Sequence, residues 1–135
     1  MIKQDLKHSS TLNQFQFEVH TWIRLIEFLI QENTFLKNRL SEVIDQIKDR
    51  ENLALAEHFQ NQFIIKDDVY DHIIHDLKKQ SYKWKEIKSI NSKEIKDDLN
   101  KIQKNLKDQL EFIERDHAVL TKDYNTYLAS LTLKN

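Results

Sequence analysis

The fold is decided by residues 15–47, FQFEVHTWIRLIEFLIQENTFLKNRLSEVIDQI. Alternating steps of four and three residues through this stretch meet ten positions, of which nine are apolar and one is an asparagine. The ten positions are Phe15, Val19, Trp22, Ile26, Leu29, Asn33, Leu36, Leu40, Val43 and Ile47. This spacing puts all ten on one side of an α-helix and is typical of a coiled-coil core face. The stretch therefore predicts a long helix covered by other helices.

The composition of the 135 residues excludes several classes of protein. The chain contains no Gly, no Pro and no Cys. Without Gly and Pro it lacks the main helix breakers and the residues that most hairpins need, which argues against a β-rich fold. Without Cys it has no disulfide and no thiolate nucleophile or metal ligand. We therefore expect an all-α protein.

Three long helices are expected within a single domain that covers residues 1–135. The predicted bounds are about 11–49, 53–88 and 92–131, and residues 1–10 are predicted to be a frayed N-terminus. Short links between helices of similar length make neighbours antiparallel, so the prediction is an up-down-up bundle with coiled-coil-like heptad faces. The first break is weakly marked, and a fusion of the first two helices in a swapped dimer stays open.

Polar residues near the predicted helix starts have the spacing of N-caps. Thr11 with Gln14 and Asn91 with Glu94 fit the capping box, and Asn52 is the predicted cap of the second helix. The caps therefore agree with the helix bounds that the apolar pattern predicts.

The second and third helices carry core faces of the same kind. The second core face is Ala56, Phe59, Phe63, Lys66, Tyr70, Ile73, Leu77, Gln80, Trp84 and Ile87, and the third is Ile95, Leu99, Ile102, Leu106, Gln109 or Leu110, Ile113, His117, Leu120, Tyr124, Tyr127 and Leu131. In an antiparallel pair that turns near residue 90, Lys66 comes level with Glu114. We expect Lys66 either to pair with that carboxylate or to extend its amine to solvent.

A second apolar surface lies on the first helix, roughly opposite its core face. It consists of Phe17, Phe28 and Phe35, with Leu25 between the two faces. We call these four residues the phenylalanine face. A helix that is apolar on two sides usually has neighbours on two sides, so this face is the predicted interface. Asn33, the one polar residue of the first core face, is predicted to set register or oligomeric state.

Histidines and carboxylates on long helices raise the question of a metal site. Glu114 and His117 have the three-residue spacing of carboxylate bundles that bind two irons. A complete site needs a second such pair and carboxylates from two further helices, which the chain lacks. The predicted metal and cofactor content is therefore none, and a metal-binding bundle that uses Glu114 and His117 is the alternative hypothesis. The absence of Gly and Cys also argues against an enzyme.

A basic region surrounds the predicted turn between the second and third helices. Residues 78–107 contain ten Lys and four acidic residues, whereas residues 1–77 contain eight basic and thirteen acidic residues. The basic surface includes Lys78, Lys79, Lys83, Lys85 and Lys88. The region has no Arg, the preferred residue for bidentate phosphate contacts, and Trp84 lies on a core face. Electrostatic binding of nucleic acid is therefore only the third hypothesis.

These observations favour a non-enzymatic interaction or scaffold protein. We expect it to self-associate as a homo-oligomer or to bind a helical protein partner through the phenylalanine face. No apolar run reaches the roughly 18 residues that a membrane span needs, and Met1–Ser10 has no leader pattern. The expected location is the cytoplasm, with no membrane association.

Overall fold

The computed structural model describes the backbone of residues 2–134 and the side chains of residues 10–131. The three helices are α1 (Ile2–Ile44), α2 (Arg50–Glu86) and α3 (Lys93–Lys134). Within residues 2–134 there is no β-strand. The predicted all-α, up-down-up architecture is confirmed, and α1 packs mainly against α2.

The first helix is longer at its start than the sequence pattern predicts. It begins at Ile2, whereas the predicted start is near residue 11. The helix passes through the predicted cap at Thr11, because no Gly or Pro in this part of the chain interrupts it. Met1 lies outside the described residues.

The first link separates α1 from α2 by a tight turn. The amide of Gln46 donates to the carbonyl of Val43 at 2.9 Å, in the turn that follows the end of α1 at Ile44. Asp49, rather than the predicted Asn52, caps α2: its Oδ2 atom accepts from the Asn52 amide at 3.2 Å. An extended cap residue whose carboxylate binds an N-terminal amide is what a helix start requires. The two helices are therefore separate within the chain.

Asn52 has a different role from the predicted one. Its side chain is buried, and its carbonyl accepts a 2.6 Å hydrogen bond from the hydroxyl of Tyr127 on α3. At the other end of α2, Ser92 caps α3 in place of the predicted Asn91, since its Oγ atom accepts from the Ile95 amide. The start of α2 is therefore bonded directly to α3.

The second link shifts α3 along the bundle axis. Residues 87–92 are outside the helices, and Ile90 among them is only 1% exposed and belongs to the core. Lys66 consequently forms its ion pair with Asp116, not with the predicted Glu114. A partner for Lys66 is thus present, but the predicted level of α3 was wrong because the link is itself packed into the bundle.

The buried apolar side chains described by the structure form two clusters along the bundle. The larger contains Leu12, Phe15, Val19, Ile26, Leu29, Tyr70, Ile73, Leu77, Trp84, Ile90, Leu106, Leu110 and Ile113, and the smaller contains Leu36, Leu40, Ala56, Phe59, Phe63, Tyr124 and Tyr127. Most are predicted core-face positions. The prediction fails near the start of α3, where Gln103 is buried while Ile102 is exposed.

Candidate functional site

The three phenylalanine rings of the phenylalanine face lie on the surface of the bundle. Phe17 and Phe35 are each 63% exposed and Phe28 is 57% exposed. Leu25 is half-buried and packs against the larger core cluster. Neither α2 nor α3 covers the three rings, because both helices pack on the core side of α1. An apolar stripe of this kind is available to a further helix.

Two polar side chains lie between Phe17 and Phe28 along this stripe. The Thr21 hydroxyl donates to the Phe17 carbonyl at 2.9 Å, and Arg24 donates to the Thr21 hydroxyl at 3.4 Å. Both side chains are exposed. The guanidinium of Arg24 therefore lies at the surface beside the aromatic rings, with no acidic partner in the described part of the chain.

A groove of about 720 Å³ runs between α1 and α3, beside the phenylalanine face. The α1 side is lined by Leu25, Phe28, Leu29 and Glu32, and the α3 side by Glu114, His117, Ala118, Thr121, Lys122, Asn125, Thr126 and Ala129. No residue of α2 lines it. Five of the eight residues on the α3 side are alanine, threonine or asparagine, so short side chains form most of this wall of the groove.

A hydrogen-bonded chain of three side chains joins the helices at the side of this groove. The Nε2 atom of His117 lies 2.8 Å from Glu32 Oε1, and its Nδ1 atom lies 2.8 Å from the hydroxyl of Tyr70. An ionised carboxylate only accepts, so Nε2 donates to Glu32 and Nδ1 of the neutral imidazole accepts from Tyr70. Each helix contributes one residue to this contact.

The surroundings of Tyr70 keep its hydroxyl protonated. The ring is 1% exposed. Burial, followed by the carboxylates of Asp116, Glu32 and Asp67, raises the pKa of the phenol well above its ordinary value. A phenol held neutral donates a hydrogen bond to His117, which fits the hydrogen-bond directions of the chain. The group therefore acts as a structural donor at neutral pH.

The geometry around His117 bears on the metal alternative. Both ring nitrogens already have partners, and Glu114 is exposed and is not one of them. Among the described residues there is no group of three or more His, Cys, Asp or Glu placed to hold a metal ion. His117 must give up Tyr70 or Glu32 before it can bind a metal.

Asn33 is fully buried and bonds to α2. Its Nδ2 atom donates to the Phe63 carbonyl at 2.9 Å and to Asp67 Oδ1 at 2.6 Å, while Lys37 binds the second oxygen of that carboxylate at 2.6 Å. These contacts favour a role in the register of α1 against α2. That role stays a prediction, and its partners Phe63 and Asp67 lie on α2, no residue of which lines the groove.

A second polar network, near the start of α3, was missed in the sequence. Gln103 accepts a 3.1 Å hydrogen bond from the indole of Trp84 and donates to the Phe15 carbonyl and to Glu18. It again joins all three helices. The sequence did not indicate that Gln103 is buried, because the apolar spacing of α3 fits burial of either Ile102 or Gln103.

The basic residues of the predicted lysine surface are all exposed. Four lie in the last turns of α2 and Lys88 lies in the link that follows. Tyr82 is exposed beside them, but the Trp84 ring is 1% exposed and bonded to Gln103. Of the two aromatic residues in this region, only Tyr82 is therefore accessible to a stacked base.

Comparisons of the chain with protein-family models, with curated proteins and with solved structures found no match. Among residues 2–134, none of the helices combines the length and the hydropathy that crossing a bilayer requires. The geometry of the phenylalanine face and of the adjacent groove therefore carries the functional argument.

Proposed function

We propose that the protein is a non-enzymatic helical-bundle interaction module that docks an α-helix on the phenylalanine face of α1. The helix comes either from a second copy of the chain or from another helical protein. The observation that supports this proposal is the exposure of three phenylalanine rings on one stripe of a helix whose other side is already covered.

The size of the apolar surface supports docking rather than chance exposure. A phenylalanine side chain offers roughly 200 Å² for burial, so three rings at about 60% exposure present on the order of 350 Å². Together the three rings, with Thr21, Arg24 and Gln31 between them, form an exposed apolar surface of a size that often marks an interaction site on a small protein. The groove beside Phe28 extends the surface toward α3.

The shape of the surface also fits a helix. The rings of Phe17, Phe28 and Phe35 recur at helical spacing along about 18 residues of α1, which corresponds to about 27 Å. A helix laid along α1 can contact all three, as in other helix-in-groove complexes. A compact small-molecule ligand cannot span all three.

The experiment replaces the exposed rings with polar side chains. A Phe28→Ser, Phe35→Ser double variant is expected to lose association while its circular dichroism keeps the helical content, because neither ring belongs to the core. Phe112→Ser is the matched control: Phe112 is also 63% exposed, but it lies on α3 outside the groove. Where the wild-type chain associates, with itself or with a partner protein, equal association of the double variant, measured as mass in solution, contradicts the proposal.

Two finer predictions accompany this proposal. A cytoplasmic location and the absence of enzymatic activity both stay predictions from the sequence. The lysine surface near the α2–α3 link gives the protein an electrostatic preference for acidic partners, which we place second to the apolar contact because exposed charges contribute little affinity at physiological salt.

A further inference from the structure

We infer that the occupant of the phenylalanine face is α1 of a second copy of this chain, packed antiparallel about a two-fold axis near Ile26. This inference rests on the proposed function and names its partner. Arg24 of the second copy then lies over Phe28 and beside Glu114 of the first.

The spacing of the exposed stripe is the same in both directions. Steps of four, three, four, three and four residues lead from Phe17 to Phe35, and the stripe is Phe17, Thr21, Arg24, Phe28, Gln31 and Phe35. This succession of steps reads identically from either end. An isologous contact places the same surface on both partners, which is what such a stripe allows.

Antiparallel pairing about residue 26 brings complementary side chains level. Phe17 meets Phe35 of the second copy at both ends of the contact, so aromatic rings pack on aromatic rings. Thr21 comes level with Gln31. Arg24 comes level with Phe28, where a guanidinium over a ring face makes a cation–π contact.

The third helix supplies the acidic partner for Arg24. α1 and α3 run parallel, and hydrogen-bonded pairs between them differ by 85 and 88 in residue number. A residue level with Phe28 is therefore level with about residue 114 of α3. Phe28 and Glu114 line the same groove, so Arg24 of the second copy reaches both a ring and an exposed carboxylate that has no ion-pair partner among the described side chains.

The α3 side of the groove is shaped for close approach of a helix. Ala118 and Ala129 line it, with Thr121 and Asn125 between them. Short side chains at this helical spacing let a neighbouring backbone come near. α1 of one copy thus packs on α1 of the other, with α3 of each copy beside the contact, and the two halves of the contact are equivalent by symmetry.

Mass in solution tests the partner and its contacts. We expect sedimentation of the 16.3 kDa chain to show a monomer–dimer equilibrium over micromolar concentrations. Arg24→Glu and Glu114→Arg should each weaken dimerisation about tenfold or more, and the double variant should restore it, because the swapped charges attract again. Lys78→Glu, an exposed charge change on α2, is the control and should leave the dimer unchanged.

Cysteine cross-linking tests the direction of packing, with no background because the chain has no Cys. Mixed Thr21→Cys and Gln31→Cys chains should form a disulfide between the two variants on oxidation. A dimer of either variant with itself should not form one, since its two cysteines are separated by ten residues along the helix axis. This separation of about 15 Å is beyond the reach of a disulfide. Preferential self-linking of Thr21→Cys overturns the antiparallel arrangement.

The remaining outcomes also decide the inference. A chain that stays monomeric at every concentration overturns the second copy as occupant, and a double charge variant that fails to restore dimerisation overturns the pairing of Arg24 with Glu114. Neither result removes the docking surface itself. A separate experiment tests that surface. It is ruled out as a docking site if a photo-reactive residue at position 28 gives no more cross-linked protein than the same residue at position 112.

Discussion

His117 on α3 lies 2.8 Å from Glu32 on α1 through its Nε2 atom, beside the groove that separates these helices. The same imidazole reaches Tyr70 on α2. One buried side chain therefore holds the three helices together and fixes the separation of α1 and α3. The width of the proposed docking surface depends on this contact.

Removal of the imidazole should destabilise the bundle. His117→Ala leaves the buried Tyr70 hydroxyl without its acceptor and Glu32 without its donor, and an unsatisfied buried polar group costs about 1–3 kcal/mol. We expect the free energy of unfolding in urea to fall by about 2 kcal/mol or more. His75→Ala, an exposed position on α2, should change it by less than about 0.5 kcal/mol. Equal effects of the two variants contradict the structural role of His117.

The pH dependence of stability should report on Tyr70. Its pKa is raised in the folded state above the ordinary value of 10.0, so the phenol stays protonated there while the unfolded chain ionises. Its contribution is therefore complete below pH 10 and is lost as the pH rises further. For this one group the free energy of unfolding should fall by up to about 1.4 kcal/mol per pH unit.

Comparison with Tyr70→Phe isolates this effect from the other groups that titrate near pH 10. Burial also raises the pKa of Tyr124 and of Tyr127, and both remain in the variant. Urea unfolding between pH 9 and 11 should show a steeper decline for the wild-type chain than for Tyr70→Phe. If the free energy of unfolding falls equally for both chains, Tyr70 ionises as easily in the folded state as in the unfolded chain, and the prediction is wrong.

The prediction from the sequence succeeded where helix periodicity alone decides the outcome. Phe15, Ile26 and Leu40 are buried as predicted, because the side of a helix that faces the core follows from residue spacing. The same spacing separates Phe28 and Phe35 from the core face, and both rings are exposed. The phenylalanine face was therefore visible in the sequence, although its role as an interface stays a prediction.

The parts that were missed depend on which of two adjacent positions begins a core face and on how far one helix slides along another. Gln103 rather than Ile102 is buried near the start of α3, and the spacing of the neighbouring apolar residues fits either position. Ile90 in the second link packs into the core, so α3 lies at a level about which periodicity gives no information, since sliding leaves each helix face unchanged. For the same reason the partners of His117 and the groove beside it could not be predicted.

The Gln103 network offers a spectroscopic test of the displaced α3. Gln103→Ala removes the acceptor of the Trp84 indole and a donor to the Phe15 carbonyl, so we expect a loss of about 1–3 kcal/mol in stability. Trp84 fluorescence should change with it, read in a Trp22→Phe background. Gln109→Ala, exposed on α3, is the control, and an unchanged spectrum for Gln103→Ala contradicts the contact.

Site-specific photo-cross-linking shows whether the phenylalanine face docks a helix. A benzoylphenylalanine replaces Phe28 in one chain and the similarly exposed Phe112 in another, and both are irradiated as purified protein and in extracts of the cells that make the chain. We expect a defined protein adduct from position 28 and none from position 112. Equal yields from the two positions, or no adduct from either, contradict this expectation.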